Sequence, residues 1–252
     1  MEAEQAPQQS LMSHLLELRN RLLRSVAAVV VLMAALVPFS NRLYAVLAQP
    51  LMQRLPEGAS MIATGVAAPF LTPFKFTMML AVYLAMPFLF YQLWAFVAPG
   101  LYQRERTLAL PMLISSVLLF YIGMAFAYFL VFPIIFGFFA SAAPAGVLVM
   151  TDVSSYLDFA LALFLAFGVA FEVPVVVVLL VLLGFVDIAA LRKGRPYVVV
   201  GAFVIGMVLT PPDMFSQALL AVPICLLFEA GLLVASLLSR RAARRDAASA
   251  VE

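Results

Sequence analysis

The sequence predicts an all-α integral membrane protein with six transmembrane helices, arranged as a cupped, curved bundle with both termini in the cytoplasm. Three observations lead to this prediction: the composition, the number of long apolar segments and the distribution of basic residues. Of the 252 residues, 65% are hydrophobic and only 11% are charged. Soluble domains average about 45–50% apolar and ~25% charged residues, so the composition excludes an ordinary soluble domain.

Six segments approach the length and apolar character of a membrane span, which needs about 20 mostly apolar residues. They are 22–39, 74–98, 108–132, 156–185, 197–210 and 214–238. The fifth segment is short, because a helix of this length covers only about 21 Å at 1.5 Å per residue. We therefore expect the paired fifth and sixth helices to leave the bilayer locally thin.

Basic residues indicate the orientation of these spans. Twelve of the 15 Lys and Arg residues lie before or at the start of the first span, between spans two and three, between spans four and five, or after span six. Only Arg42, Arg54 and Lys75 lie on the other side. Since cytoplasmic loops carry the excess of Lys and Arg, both termini are predicted to be cytoplasmic. The long loop 40–72 is predicted to form an ordered periplasmic cap.

Prolines predict bent spans. Prolines within or at the ends of the apolar segments include Pro87, Pro111, Pro133, Pro174 and Pro223. Each lacks a backbone donor and tends to bend its helix, which favours a curved wall over a parallel bundle. We expect one membrane domain over residues 1–240 and a flexible cytoplasmic tail over residues 241–252.

Residues 11–24 predict a basic amphipathic helix that lies on the membrane surface and leads into the first span, with leucines in one stripe and polar residues in another. Glu17 in this helix and Glu105 in the first cytoplasmic loop are carboxylates on a membrane face that is otherwise basic. Such carboxylates suit the bidentate capture of guanidinium groups. The simpler interpretation of Glu17 is an ion pair with Arg21 at i,i+4.

Glu172 is the most unusual residue of the chain, because an ionisable group at bilayer depth costs about 2.5–3.5 kcal/mol on insertion scales. A bond within the bundle and a contact with a partner helix are equally good interpretations of Glu172. Glu229 lies nearer the cytoplasmic end of its span and favours a structural role. Polar residues also mark the turn between the fifth and sixth helices: Thr210, Gln217, and Asp213, which is placed to cap the sixth helix.

Catalysis and metal binding find little support in the sequence. The chain has one cysteine, Cys225, and one histidine, His14, which excludes an internal disulfide and a Cys/His metal site. His14 precedes the first span, so an intramembrane Ser–His pair has no base at depth. No H-E-x-x-H, P-loop or G-x-G-x-x-G motif occurs. We expect neither an enzyme nor a cofactor.

Five segments carry a family resemblance. They are HLLELRNRL at 14–22, FVAPGLY at 96–102 followed by Glu105, FYIGMAFAY at 120–128, FGVAFEVP at 167–174 and LTPPD at 209–213. In this order they closely resemble the TatC family, the large subunit of the twin-arginine protein translocase, in its proteobacterial form. The resemblance runs from about residue 11 to residue 238.

The resemblance implies a six-span receptor of the bacterial inner membrane that binds twin-arginine signal peptides of folded proteins. Export would be driven by the proton-motive force, with single-span TatA and TatB subunits and several TatC copies as partners. Glu17 and Glu105 would receive the arginine pair, with Arg19, Arg21 and Phe96 shaping that site.

Further positions follow from the same resemblance. Glu172 would face the concave intramembrane surface, and Pro50 and Phe70 would belong to the periplasmic cap. The implied docking wall for a partner's span contains Thr210, Asp213 and Gln217. Many relatives carry an acid shortly before the equivalent of Phe70, whereas residues 64–69 here read TGVAAP.

Two other classes of protein compete with this interpretation. A proton-coupled small-molecule transporter would use Glu172 as its proton carrier, and six spans could form one half of a transporter dimer. The lack of an inverted repeat and the cytoplasmic acid pair disfavour it. A lipid-modifying membrane enzyme is a distant third, because the chain lacks a nucleophile–base pair.

Overall fold

A computed structural model describes residues 5–52, 62–97, 109–141, 152–209 and 214–249 of the chain. Side chains are described over 12–46, 62–97, 109–139, 152–209 and 214–239. Every structural statement below refers to these residues.

The described residues form helices and no strand, which confirms the all-α prediction for this part of the chain. The α-helices are α1 Gln5–Leu36, α2 Ser40–Met52, α3 Ala68–Val97, α4 Ala109–Phe126, α5 Phe132–Ser141, α6 Val153–Ala170, α7 Val173–Leu182, α8 Ile188–Lys193, α9 Arg195–Leu209 and α10 Met214–Ser249. A 3-10 turn at Val37–Phe39 joins α1 to α2, and a π-helical turn at Ala127–Val131 joins α4 to α5.

Five helical stretches are long and apolar enough to cross a membrane. They are Met12–Val46, Ala68–Val97, Ala109–Phe139, Val153–Leu182 and Met214–Ser239. The predicted fifth span corresponds to α9, an apolar helix of 15 residues. At about 22 Å it is shorter than the ~30 Å hydrocarbon core, so its crossing stays a prediction.

The chain divides into two compact units, and the first contains Met1–Ala109 and Met150–Leu157. In this unit α1 and α3 pack against each other, and contacts between identified side chains show that they run antiparallel: His14 meets Phe96, whereas Arg21 meets Gln92. The amphipathic segment 11–24 and the apolar run after it belong to one continuous helix. The first half of α1 therefore lies beside the last turns of α3.

Within the first unit, Asp152 ties the start of α6 to the segment before α3. Its Oδ1 atom accepts hydrogen bonds from the backbone N–H groups of Ser154 and Ser155, as an N-cap residue does. Its Oδ2 atom accepts bonds from the N–H and the hydroxyl of Thr64. The N–H of Val153 donates to the carbonyl of Ile62 at 2.9 Å. The end of the predicted cap 40–72 is thus anchored by hydrogen bonds.

The second unit contains Leu110–Val149 and Asp158–Glu252, and glycines allow its helices to approach closely. A Cβ atom on Gly123 would lie 2.4 Å from the carbonyl oxygen of Phe167, and one on Gly168 would lie 2.5 Å from the Phe120 ring. A Cβ atom on Gly231 of α10 would lie 2.8 Å from the Cα atom of Pro174. Small residues at such crossings are typical of membrane helix packing.

The predicted fourth span 156–185 is two helices, since a turn at Phe171 and Glu172 separates α6 from α7. Pro174 follows at once, in the first turn of α7, where its missing N–H costs no helical hydrogen bond. Pro87 and Pro223, in contrast, lie inside the continuous helices α3 and α10.

Helix α10 continues to Ser249, so the backbone is helical over 241–249. This range is most of the segment that was predicted to be a flexible tail.

Candidate functional site

Glu17 lies in the N-terminal half of α1 and is paired with Arg21, one turn further along the helix. The Nε and Nη2 atoms of Arg21 both donate to Oε1 of Glu17, at 2.9 Å and 2.6 Å. The order of acid before base at i,i+4 is the favourable one in a helix. The side chain of Glu17 keeps 38% of its surface exposed, against 21% for Arg21. The predicted ion pair is confirmed, and the carboxylate remains accessible.

Gln92 of α3 holds the other edge of the Arg21 guanidinium. Its Oε1 atom accepts a hydrogen bond from Nη1 of Arg21 at 3.3 Å. Gln92 is only 5% exposed, so this amide is a buried polar group with a charged partner. Sequence reasoning missed Gln92, although a glutamine inside an apolar span is itself a signal, because polar groups at such positions need a partner.

An aromatic contact flanks the Glu17–Arg21 pair. The imidazole of His14 stacks on the ring of Phe96, with centroids 4.3 Å apart and planes inclined by 19°. His14 precedes Glu17 by three residues, so the two lie on the same side of α1. Phe96 was expected at this site, whereas His14 was not. The structure thus brings Glu17, Arg21, Phe96, His14 and Gln92 together at the contact between α1 and α3.

An open groove of about 420 Å³ runs along this part of α1. Five of the six side chains that line it are polar or charged, and the lining residues are Ser13, Leu16, Glu17, Asn20, Arg21 and Arg24. A carboxylate between hydrogen-bonding side chains and a leucine can receive a guanidinium group together with its aliphatic stem.

Two further residues expected at this site are not brought to it by the described structure. Arg19 is exposed and lies two residues after Glu17, about 200° around the helix axis. Glu105 lies outside the described residues, so its predicted pairing with Glu17 stays a prediction.

Glu172 occupies the turn between α6 and α7, in the second unit. Its backbone N–H donates to the carbonyl of Val169, and its carbonyl accepts from the N–H of Val176. Ser116 of α4 hydrogen-bonds to the carboxyl group, while the Oε1 atom is buried without a hydrogen-bond partner among the described residues. A buried oxygen without a partner is a costly arrangement, which is consistent with a group that meets a ligand or another helix.

The predicted docking wall is described in part. Gln217 is half-buried near the start of α10, and its backbone lies against Gly206 of α9, where an added Cβ would meet it at 3.4 Å. This close approach holds the two helices side by side. Thr210 and Asp213 lie outside the described residues.

Of the two residues expected in the cap, Phe70 is described with its side chain and Pro50 with its backbone. Phe70 lies in the first turn of α3 and is 76% exposed. The backbone of Pro50 belongs to α2, but its side chain lies outside the described part.

Two charged residues outside the α1–α3 site are held by specific partners. Glu229 accepts a hydrogen bond of 2.6 Å from Nη2 of Arg195. This ion pair between α10 and the start of α9 fits the structural role that the sequence favours for Glu229.

Hydrogen bonds from Ser155 and Thr64 hold the pKa of Asp152 well below its usual range, since they stabilise the charged carboxylate. Sequence reasoning missed Asp152.

The family model of "Sec-independent protein translocase protein (TatC)" matches residues 13–223. The chain belongs to the TatC family. It is 65% identical over 221 residues to the TatC protein of Azotobacter chroococcum mcd 1, covering 88% of this chain and 87% of the relative. It is 58% identical over 223 residues to TatC of Escherichia coli strain K12, covering 88% and 86%.

The fold is similar to that of a solved member of the family. A crystal structure of the twin-arginine translocase receptor TatC superimposes with a TM-score of 0.81 at 33% sequence identity, over 90% of this chain and 99% of the other. The family resemblance is thereby confirmed. The protein is a multi-pass membrane protein and a core receptor subunit of the twin-arginine translocase, a transport component rather than an enzyme.

Proposed function

We propose that this protein is the subunit that binds twin-arginine signal peptides of folded proteins, for export across the bacterial inner membrane driven by the proton-motive force. The proposal rests mainly on the hydrogen bonds and the exposure of the Glu17 carboxylate. Its carboxylate already binds one guanidinium group, that of Arg21, and it remains 38% exposed in an open groove. A carboxylate in this setting suits a second guanidinium group from a ligand.

The proposed site has one acceptor for each arginine of the signal. Glu17 receives one arginine, and Glu105 receives the other. Phe96 supplies an apolar wall, because guanidinium groups pack well on aromatic faces. Arg19 and Arg21 complete the site by setting the charge around the two acids.

The proposed orientation follows from the basic residues. Both termini and the Glu17 site lie in the cytoplasm, where a precursor protein first meets the membrane. The membrane domain covers residues 1–240 and the cytoplasmic tail residues 241–252. The cap 40–72, with Pro50 and Phe70, lies on the periplasmic side.

The proposed partners are the single-span TatA and TatB subunits, in a complex that holds several TatC copies. Glu172 supports this proposal, because its buried oxygen has no partner among the described side chains of this chain. Hydrogen bonds between membrane helices often supply such a partner. Thr210, Asp213 and Gln217, at the turn between α9 and α10, form the remainder of the proposed docking wall.

Binding of a fluorescent twin-arginine peptide to the purified protein in lipid nanodiscs tests the proposed site. Glu17→Gln and Glu105→Gln each remove one charged acceptor and are expected to weaken binding about 10- to 100-fold, the range for a charge-assisted hydrogen bond. Glu229→Gln is the matched control, since it removes an acid that is paired elsewhere, and it should bind as the wild type does.

A twin-lysine peptide completes the design. Lysine cannot form a bidentate pair with a carboxylate, so this peptide should bind the wild type weakly and should respond little to Glu17→Gln. Unchanged affinity for the twin-arginine peptide in both Glu17→Gln and Glu105→Gln would show that the site lies elsewhere.

A further inference from the structure

The Arg21 guanidinium binds Glu17 in an unusual way. A free arginine side chain next to a carboxylate favours two parallel hydrogen bonds, one to each oxygen. Here Nε and Nη2 of Arg21 both donate to Oε1. Neither of these two hydrogen bonds from Arg21 ends on Oε2 of Glu17. The ion pair therefore uses one oxygen of the carboxylate and leaves Oε2 without a bond to the Arg21 guanidinium.

Gln92 supplies the restraint that explains this geometry. Its Oε1 atom accepts from Nη1, on the side of the guanidinium away from Glu17. The amide is 5% exposed and belongs to α3, so it is fixed relative to α1 by the packing of the two helices. A guanidinium held at both edges cannot turn to cover both oxygens of Glu17.

We propose that Gln92 is a positioning residue of the signal-peptide site: it holds the Arg21 guanidinium at one oxygen of Glu17 and so leaves the other oxygen open to an arginine of the signal peptide. This inference rests on the proposed function. Without the amide acceptor, Arg21 turns to chelate both oxygens of Glu17 and competes with the ligand for its own acceptor.

If Arg21 competes with the ligand for Glu17, the variants should behave differently from what a purely structural role of Gln92 predicts. Gln92→Met keeps the volume and the burial but removes the acceptor, and it should weaken binding of the twin-arginine peptide about tenfold, the factor of one charge-assisted hydrogen bond. In the double variant Gln92→Met/Arg21→Gln the competitor is gone as well. The double variant should therefore recover the affinity to within about twofold of that of Arg21→Gln alone.

The experiment measures the dissociation constant of the same fluorescent peptide in nanodiscs for the wild type, Gln92→Met, Arg21→Gln, the double variant and Glu17→Gln. Thr77→Val is the matched control: Thr77 is a fully buried polar residue of α3 whose hydroxyl donates to the Pro73 carbonyl of its own helix. It should bind as the wild type does. Thermal unfolding of each variant verifies that the helices remain packed.

Recovery of affinity in the double variant supports the proposal. The proposal is overturned if Gln92→Met binds like the wild type while Glu17→Gln binds weakly, and the proposed function then stands without it. It is also overturned if the double variant binds as weakly as Gln92→Met, because the amide then acts through the fold. Wild-type affinity of Glu17→Gln would instead overturn the Glu17 site itself.

Discussion

Replacing Gly123 with alanine tests how closely α4 packs on α6 and how that packing holds the turn at Glu172. The new methyl group would lie 2.4 Å from the carbonyl oxygen of Phe167 and 2.9 Å from the ring of Phe171. The same carbonyl accepts the N–H of Phe171 at 3.0 Å, at the end of α6 just before Glu172. Because this oxygen belongs to the backbone, the two helices must separate by roughly 1 Å to restore an ordinary contact of ~3.5 Å.

The expected cost combines two opposing contributions. Forcing a methyl group into a packed contact costs about 1–3 kcal/mol. Alanine in place of glycine inside a helix returns about 0.5–1 kcal/mol. We therefore expect Gly123→Ala to lower the free energy of unfolding by up to about 2.5 kcal/mol and to lower the Tm by about 2–4 °C per kcal/mol, as in soluble proteins of comparable size.

Thermal unfolding of the purified protein in detergent measures this change. Gly137→Ala is the matched control, since Gly137 also lies in a helix, α5, and an added Cβ meets nothing within 4 Å. It should leave the Tm unchanged or raise it slightly. If Gly123→Ala is as stable as Gly137→Ala, α4 and α6 do not pack as closely at Gly123 as the 2.4 Å contact requires.

Three further predictions concern other parts of the chain. His14→Phe preserves the stack on Phe96 and should keep peptide affinity, whereas His14→Ala should weaken it about three- to tenfold; equal affinities would show that the stack does not matter. Because the pKa of Asp152 is lower in the folded protein than in the unfolded chain, its carboxylate stabilises the protein above about pH 4 and loses this effect as the pH falls further. The Tm of the wild type should therefore fall more steeply than that of Asp152→Asn between about pH 5 and 3, and parallel curves would contradict the hydrogen-bonded geometry. The Arg195–Glu229 pair is about half exposed, so a double-mutant cycle on the Tm should give a coupling of no more than about 1 kcal/mol; a larger value would mean that the pair is buried.

Hydropathy predicts much of this fold, because a lipid bilayer demands long apolar helices whose backbone groups are all paired. Five of the six predicted spans are helices of sufficient length, and the short fifth one was recognised as short from its sequence. The turn at Glu172 was predicted only as a bend at Pro174. Proline disfavours helix in the residue before it, but nothing local fixes which peptide begins the turn.

At the candidate site, contacts within one helix could be predicted from the sequence, whereas contacts between two helices could not. The Glu17–Arg21 pair follows from i,i+4 spacing on one helix and could be predicted. The contacts of Arg21 with Gln92 and of His14 with Phe96 depend on the register of α1 against α3. Periodicity identifies the face of a helix that packs, but it does not identify the residue opposite.

Site-specific photocrosslinking is the sharpest test of whether the groove beside Glu17 receives the arginines of a signal peptide. Photoreactive residues at Ser13 and Asn20 line the groove and leave Glu17 intact, whereas Leu15 is exposed and lies about 200° around α1 from Ser13. Crosslinks to a twin-arginine precursor are expected from positions 13 and 20, with little from position 15, and they should be lost with a twin-lysine precursor. Equal crosslinking from all three positions, or crosslinks that persist with twin lysine, would show that the arginines bind elsewhere.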